Sequence, residues 1–310
     1  MTKRLSAAGI AAACMTVAAL APNPASALEG GVSPYPAGAA GTSIGAMPPI
    51  PGLFLLQQFS YSYANGLYDN SGHKLPVPFH SSAPSSTTRL LAAYPITLFG
   101  ASVYSQLVVP TVFLHTNVAG QSQQHNGLSN ITVSPAILKW AVTPNLAIVT
   151  GLDIALDNGS YNPARPSVAV GYTSFQPVLT FRYNVPNGID LGIANRLLIN
   201  RKNGETGYHS GTAYAADFTA GWNFGRWKVG AVGGYLNQFT DDTLHDVTVA
   251  GNRARSFAIG PSIAYDGGFF NIAINYQQGV YAANTAKSSA IWLNIAIPLW
   301  AKMPGAGHAS

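Results

Sequence analysis

Long segments in which apolar and polar residues alternate are the feature that most constrains how this chain can fold. In residues 174–184, SFQPVLTFRYN, alternate positions from Phe175 to Tyr183 are apolar or aromatic, whereas the positions between them include Gln176 and Arg182. Alternation of this kind is typical of a β-strand whose two faces meet different surroundings. We predict twelve such strands, at 53–65, 87–99, 102–114, 130–140, 145–157, 172–184, 188–200, 212–224, 227–238, 255–266, 269–281 and 288–300.

The lengths of these segments and of their connections indicate a membrane barrel. The segments run to about 10–13 residues, whereas strands of globular proteins average about 5–6 and a tilted strand that crosses a bilayer needs about 9–11. Tight connections alternate with longer polar ones, which lie at 66–86, 115–129, 158–171, 201–211, 239–254 and 282–287. Short turns on one side and long loops on the other are typical of outer-membrane barrels.

We therefore expect an all-β fold, namely a transmembrane antiparallel β-barrel of about twelve strands with short periplasmic turns and longer extracellular loops. In hydrocarbon, strands can pair every backbone N–H and C=O group only if the barrel closes. The apolar face of each strand then meets lipid and the polar face meets a lumen. An even number of strands places both termini of the chain on the periplasmic side, with the short turns.

Composition agrees with a membrane barrel and argues against other classes of protein. Hydrophobic residues make up 47% of the chain and charged residues 9%, whereas soluble domains carry about 25% charged residues. The net charge of +5 is not gathered into a basic cluster, so we expect no nucleic-acid partner. Cys14 is the single cysteine and lies in residues 1–27, which are predicted below to be removed as a signal peptide. We therefore expect neither disulfides nor a thiol nucleophile in the mature chain.

The N-terminal region divides into a targeting signal and an irregular segment. Lys3 and Arg4 precede an apolar run that ends in the small residues ASA at 25–27, which predicts a signal peptide over 1–27 with cleavage between Ala27 and Leu28. Residues 28–52 are rich in Gly and Pro and show no periodicity, so they form either a plug in the lumen or a periplasmic tail. The barrel is predicted over 53–300, followed by a C-terminal tail at 301–310.

The start of the predicted mature chain resembles a known family. The sequence LEGGVSPYPAG contains Glu29, Gly30, Gly31, Tyr35, Pro36 and Gly38. A proline-rich step, an aromatic first strand and a loop follow, with Pro48, Pro49, Pro51, Asp69 and Gly72. This opening resembles that of a bacterial outer-membrane family named for its association with the meta pathway of phenol degradation. The resemblance implies an outer-membrane channel for aromatic or other hydrophobic compounds.

Aromatic and proline residues give further expectations about the barrel. Aromatic side chains near the short turns or the final strand end should form a girdle at one membrane interface; they are Trp140, Tyr183, Trp222, Phe224, Trp227, Tyr265, Phe270 and Trp300. Proline cannot donate to a β-ladder, so several strands that contain it should bulge. These prolines are Pro95, Pro110, Pro135, Pro177, Pro261 and Pro298.

Charged residues on the polar faces are the candidate functional residues. They are Asp153, Asp157, Arg182, Asp190, Arg196 and Asp217. They come from four consecutive predicted strands, so they should line one wall of the lumen. Opposed charges there either select permeants through a transverse field or pair with one another and stiffen the barrel interior.

We expect a passive channel for small hydrophobic or aromatic compounds. The alternatives are a narrow general porin for polar solutes and a structural or adhesion barrel. A lipid hydrolase is a further alternative, since His125, Ser129 and Asn130 supply the residue types of a catalytic triad. They lie in a predicted loop rather than on the lipid-facing wall, so we expect no enzyme, and no cofactor or metal.

The expected partners follow from the membrane setting. They are outer-membrane lipid and lipopolysaccharide, the barrel-assembly machinery, and a small hydrophobic or aromatic permeant. The oligomeric state is open.

Overall fold

The computed structural model describes residues 27–301, which are almost entirely β-structure. Most of the predicted signal peptide and of the predicted C-terminal tail lies outside this range. Two short 3₁₀ turns, at Glu29–Gly31 and Gly41–Ser43, precede the first strand. The strands are β1 Gly52–Tyr68, β2 Phe79–Leu98, β3 Ala101–Val118, β4 Gln121–Leu128, β5 Thr132–Ala141, β6 Leu146–Ala155, β7 Ser174–Asn184, β8 Ile189–Asn200, β9 Tyr208–His209, β10 Ala213–Phe224, β11 Trp227–Gln238, β12 Asp242–Leu244, β13 Val247–Val249, β14 Arg255–Asp266, β15 Asn271–Ala283 and β16 Thr285–Ala301.

Twelve of the strands within residues 27–301 form a closed antiparallel barrel, which confirms the predicted fold class. Neighbours in the barrel follow chain order, with β4, β9, β12 and β13 left outside the ring. The ring closes where β1 pairs with β16, from Gly52 opposite Ala301 to Tyr68 opposite Thr285. Strands β9, β12 and β13 form a small separate sheet, here called the loop sheet, at the end of the barrel that carries the long loops.

The two faces of each strand meet different surroundings, as the alternation predicts. In β7, Leu179, Phe181 and Tyr183 are each about 40% exposed, whereas Gln176 and Thr180 are at most 4% exposed. Exposed apolar side chains of this kind surround the barrel, and a lipid bilayer is the medium that covers such a belt. Near the short turns the belt is aromatic, with Trp222 against Phe224 and Trp227 against Tyr265.

Strands β2 and β3 are longer than predicted, because two segments interpreted as loop continue the barrel upward. Strand β2 begins at Phe79 and β3 runs to Val118, where Ala119 and Gly120 turn the chain into β4. Both turn residues have positive φ, at 51° and 86°, which is the geometry of a two-residue turn that matches strand twist. The predicted loop at 115–129 was therefore wrong in this part, and β3 with β4 forms a hairpin instead.

Three of the six strand prolines lie where the pairing register shifts. Pro95 lies in the shift between Ala93 and Thr97, and Pro135 lies in the shift between Val133 and Ile137. Pro298 lies at the shift where β16 meets the start of β1. Pro110, Pro177 and Pro261 instead pair in register with Thr87, Leu152 and Ala231. Among residues 27–301, no helix is both long and apolar enough to cross a membrane.

A charge placed on the outer belt should cost far more than one placed on a loop. Ile193 lies midway along β8 and is 38% exposed, whereas Val247 in the loop sheet is 69% exposed. We expect Ile193→Arg to lower the free energy of unfolding by about 2–4 kcal/mol, and Val247→Arg by about 0–1 kcal/mol. Urea titration of protein refolded into lipid vesicles measures both. Equal costs at the two sites would mean that the belt around β8 does not face lipid.

Candidate functional site

The interior of the barrel is occupied along its length by residues 28–51, here called the N-terminal segment. The N–H of Leu28 donates to Asp242 in strand β12 of the loop sheet, at the end that carries the long loops. The segment then descends and enters β1 at Gly52, which pairs with Ala301 at the end of the short turns. The irregular segment predicted from the sequence therefore runs through the lumen from one end to the other.

Glu29 holds the upper end of the segment among the long loops. Its carboxylate accepts hydrogen bonds from Tyr161 Oη at 2.8 Å, Thr206 Oγ1 at 2.5 Å and Asn203 Nδ2 at 2.8 Å. Its backbone N–H donates to Ser210 Oγ at 3.0 Å. Burial and the nearby Glu29 carboxylate raise the pKa of Tyr161, which keeps that hydroxyl protonated as a donor.

Asp217, on the inner face of β10, holds the middle of the segment. It is 1% exposed and accepts three hydrogen bonds, from Tyr35 Oη at 2.5 Å, the Gly38 N–H at 2.6 Å and the Ala40 N–H at 2.8 Å. Gly38 has a φ of 97°, where glycine is the residue normally found. A Cβ at Gly38 would also overlap the side chain of Gln277, which donates to the Gly38 carbonyl at 2.9 Å.

A second polar cluster lies over the ring of Tyr35, on strands β6 to β8, which continue the wall beside β10. Arg196 donates to Asp153 Oδ2 at 2.6 Å and to Gln176 Oε1 at 2.9 Å. Its guanidinium carbon lies 4.0 Å from the centre of the Tyr35 ring, within range of a cation–π contact. Asp153 also accepts from Ser134 Oγ. The Tyr35 side chain of the sequence motif therefore contacts both Asp217 and Arg196, which come from the paired strands β10 and β8.

Positive side chains hold the lower part of the segment. Arg182 donates to the carbonyl oxygens of Thr42, at 3.1 Å, and Ile44, while it pairs with Asp190 at 2.5 Å. Lys228 Nζ lies 2.5 Å from Asp190 Oδ2, so one carboxylate serves two cations.

Two further donors lie near the short turns. Lys139 Nζ donates to Met47 O at 3.2 Å, and Tyr104 Oη donates to Pro48 O at 2.8 Å. Backbone carbonyl oxygens along the lower half of the segment thus accept hydrogen bonds from side chains of the barrel wall.

Five of the six predicted lumen residues face the interior and contact the segment or one another: Asp153, Arg182, Asp190, Arg196 and Asp217. Asp157 does not join them, because β6 ends at Ala155 and Asp157 lies exposed in the loop that follows. Sequence reasoning missed Arg89, Lys139 and Lys228. The signal for Lys228 was present, since it alternates with the outward Trp227 and Val229.

A cavity of about 1030 Å³ remains between the segment and the barrel wall. Strand β3 lines one side with apolar groups, among them Val108, Val112 and Leu114. Strands β1 and β2 line another side with hydroxyl groups, among them Ser60, Ser62, Ser81, Ser85 and Thr87. Arg89 also lines the cavity and donates to Gln106 Oε1 at 2.6 Å. The apolar and the hydroxyl-rich parts of the cavity lining therefore lie side by side, since β2 pairs with β3 and Ser85 is opposite Val112.

Strand β3 is apolar on both faces, which explains its weak alternation. Leu107 and Phe113 point outward and are 37% and 48% exposed, while Val108 and Val112 line the cavity. The register that was open from the sequence pairs Thr87 of β2 with Pro110 of β3.

The residues that suggested a hydrolase make structural contacts. His125 Nδ1 lies 3.1 Å from Pro166 O, and Asn130 Nδ2 donates to the carbonyls of Leu156 and Val170. These bonds join β4 and its neighbouring turn to the loop that follows β6. Across the described residues, no group of three or more His, Asp and Glu side chains is placed to hold a metal ion.

The chain has sequence and structural similarity to known proteins. The family model described as "Putative MetA-pathway of phenol degradation" matches residues 64–295. The crystal structure of an outer membrane channel from Pseudomonas putida F1 superposes with a TM-score of 0.72 at 14% identity, over 81% of this chain and 96% of that one. At this identity the likeness extends to the fold alone. A search of curated protein sequences found no significant match.

Two further solved barrels are more distant. The KdgM porin in complex with disordered oligogalacturonate has a TM-score of 0.43 at 10% identity, over 79% of this chain and 99% of that one. The translocator domain of the autotransporter NalP from Neisseria meningitidis has a TM-score of 0.49 at 10% identity, over 84% and 92%.

The absence of a side chain at Gly234 allows the N-terminal segment to lie against β11. A side chain added there should therefore destabilise the protein only when the segment is present. A Cβ at Gly234 would overlap the backbone of Ala37 and Gly38. We expect Gly234→Ala to destabilise the intact protein by about 1–3 kcal/mol through overpacking. In a protein that lacks residues 29–50, the same substitution should stabilise by about 0.4–1 kcal/mol, because alanine restricts the unfolded chain. Urea titration of the four proteins measures both effects, and a cost that persists after the deletion would contradict this assignment.

Proposed function

The chain belongs to the family described as "Putative MetA-pathway of phenol degradation", and we propose that it is an outer-membrane channel through which small hydrophobic or aromatic compounds diffuse passively. In this proposal the short turns face the periplasm and the long loops face the exterior, amid lipopolysaccharide. The barrel-assembly machinery inserts it, as it does other barrels of this architecture.

The observation that carries the proposal is the two-sided lining of the cavity. A pore for sugars or ions gains nothing from Val108, Val112 and Leu114 along one wall. An aromatic compound can lie against β3 and present a hydroxyl or carboxyl group to the neighbouring strands β2 and β1. There Ser60, Ser85 and other hydroxyls offer hydrogen bonds, which is the mixture of apolar surface and few polar groups typical of small-molecule sites.

The charges of the interior favour anions among these compounds. Of the charged residues described above that face the lumen from barrel strands, five are cations, Arg89, Lys139, Arg182, Arg196 and Lys228, and three are carboxylates, Asp153, Asp190 and Asp217. The Glu29 and Asp242 carboxylates lie at the upper end of the segment, among the long loops. Arg89 faces the cavity with Gln106, a neutral group, as its hydrogen-bond partner. Phenolates and aromatic carboxylates would be attracted by this excess, because unlike charges interact more strongly where little water screens them.

We propose further that the N-terminal segment is a plug that narrows the lumen. Its anchors at Glu29, Asp217 and Arg182 are spread over the depth of the barrel. A twelve-stranded barrel without such a segment should leave a wider aqueous lumen. The segment therefore sets the width of the path, and the cavity beside it is the space left for the permeant.

Deletion of residues 29–50 should raise the single-channel conductance of the refolded protein several-fold, because the lumen is then filled by electrolyte. Planar-bilayer recording measures this, with Val247→Ser in the loop sheet as a control that should leave conductance unchanged. Conductance unaltered by the deletion would rule out the plug.

Flux measurements in proteoliposomes test the cargo. We expect benzoate and benzyl alcohol to enter faster than a sugar of similar size, and Arg89→Gln to slow benzoate by about tenfold while benzyl alcohol changes little. Lys202→Gln is the matched control, because Lys202 lies on an exposed loop and pairs with Asp246. Equal entry of sugars would favour a general narrow porin, and no flux or conductance at all would favour a structural or adhesion barrel.

A further inference from the structure

Asp242 is a buried carboxylate surrounded by neutral donors. It is the first residue of β12 in the loop sheet and is fully buried. Oδ1 accepts from the Gly211 N–H and Gln238 Nε2, both at 2.7 Å. Oδ2 accepts from the Leu28 N–H at 3.0 Å, Tyr208 Oη at 2.5 Å and Asn252 Nδ2 at 2.8 Å.

Neutral donors alone leave this carboxylate costly to ionise. Within residues 27–301, no Lys, Arg or His nitrogen lies within 4.0 Å of its oxygens. Burial accordingly raises the pKa of Asp242 above its ordinary value. An ionised carboxylate that is buried without an opposite charge is destabilising. A cation placed beside Asp242 would therefore stabilise its ionised form.

The backbone at Leu28 gives a second, independent observation. Leu28 has a φ of 61° and a ψ of 140°, outside the regions that a branched side chain normally adopts. The φ of Leu28 is defined by its peptide bond to Ala27. When that bond is cut, the dihedral no longer exists and its strain is lost, while the side chain of Leu28 stays buried against Leu198, Ala213 and Leu236.

We propose that signal-peptide cleavage creates the missing cation, and that the new α-ammonium group of Leu28 forms a buried ion pair with Asp242. In this step water adds across the peptide bond between Ala27 and Leu28. The acyl carbon of Ala27 takes the hydroxyl and leaves as a carboxylate with the signal peptide, and the nitrogen of Leu28 takes up protons to become –NH₃⁺. The nitrogen that donates to Asp242 as an amide then donates as an ammonium from the same place.

The ion pair would fasten the free end of the N-terminal segment. The other end of the segment continues into β1, so the segment is held covalently below and electrostatically above. The four hydrogen bonds of Glu29 fix the position of its neighbour, Leu28, and thereby align the ammonium with the carboxylate. This inference concerns maturation and does not depend on the identity of the permeant.

The test measures the reactivity of the amino terminus. Intact mass of the protein extracted from outer membranes should first give Leu28 as residue one. The protein refolded from residue 28 is then treated with an amine-acylating ester near pH 7, where lysine side chains are protonated, and N-terminal labelling is followed by mass spectrometry. We expect Asp242→Asn to label about tenfold faster than the wild type, because an ion pair holds the amine protonated and covered. Asp246→Asn is the matched control, since Asp246 is 83% exposed in the same loop sheet region.

A second protein separates loss of the ion pair from loss of folding. Each oxygen of Asp242 accepts hydrogen bonds from donors. The NH₂ group of an asparagine at this position would face some of those donors without an acceptor, so Asp242→Asn can disturb the loops. A chain that begins at Ala27 changes no side chain and moves the charge to a nitrogen that donates to Asn284 O at 3.1 Å. We expect the chain that begins at Ala27 to label about as fast as Asp242→Asn. Its channel should also stay at high conductance for longer periods than that of the chain that begins at Leu28, because the upper end of the N-terminal segment is held less firmly. Equal labelling of all four proteins, or a mature chain that begins at another residue, would overturn the proposal.

Discussion

The closure of the backbone hydrogen-bond ring between β1 and β16 is the constraint on which the rest of the structure depends. Strands in hydrocarbon have no water to satisfy an open edge, so the sheet must return to its first strand. Once it does, successive side chains point alternately into lipid and into an enclosed interior. The polar side chains of the membrane-spanning strands then point into this interior, so their partners are other barrel residues, the N-terminal segment or the contents of the cavity.

The N-terminal segment supplies many of those partners. A segment rich in Gly and Pro has few side chains to satisfy and many free backbone groups, so it offers carbonyls to Arg182, Lys139 and Tyr104 and N–H groups to Asp217. The barrel wall supplies charges and the segment supplies dipoles, and the Asp217 carboxylate is stabilised both by N–H groups of the segment and by the charge of Arg196 on the neighbouring strand β8. The two parts of the chain thus complete each other electrostatically.

Much of the fold could be predicted from the sequence, because the period of two and the alternation of short and long connections are local patterns. The family suggested by the opening residues was confirmed by a match over 64–295, which lies beyond the motif at 29–38. The predictions were wrong where the surroundings of a strand, rather than its own alternation, decided the structure. Strand β3 is apolar on both faces since one face meets lipid and the other a greasy cavity, so its alternation is weak. The β4 hairpin rises beyond the membrane, where polar residues such as Gln123 and Gln124 form strand without an apolar face.

The candidate site was less accessible to sequence reasoning. Asp153 and Arg196 lie on polar strand faces, so their inward direction follows from alternation, whereas Asp157 required the end of β6 to be placed within two residues. No sequence pattern pairs Tyr35 with Asp217 or Leu28 with Asp242, since these contacts join residues far apart in the chain through an irregular segment. Such contacts depend on the path of the segment through the barrel, which has no periodicity to read.

The size of the free cavity has a consequence for how flux depends on concentration. At about 1030 Å³, it resembles a ligand pocket, typically about 300–1,000 Å³, more than a water-filled tube. In the proposed channel, a permeant would shed its hydration and occupy this single compartment before the next could enter. Flux through it would level off at high concentration and show competition between related compounds. A rigid barrel with no alternating cycle would then display the saturation usually taken as the signature of a carrier.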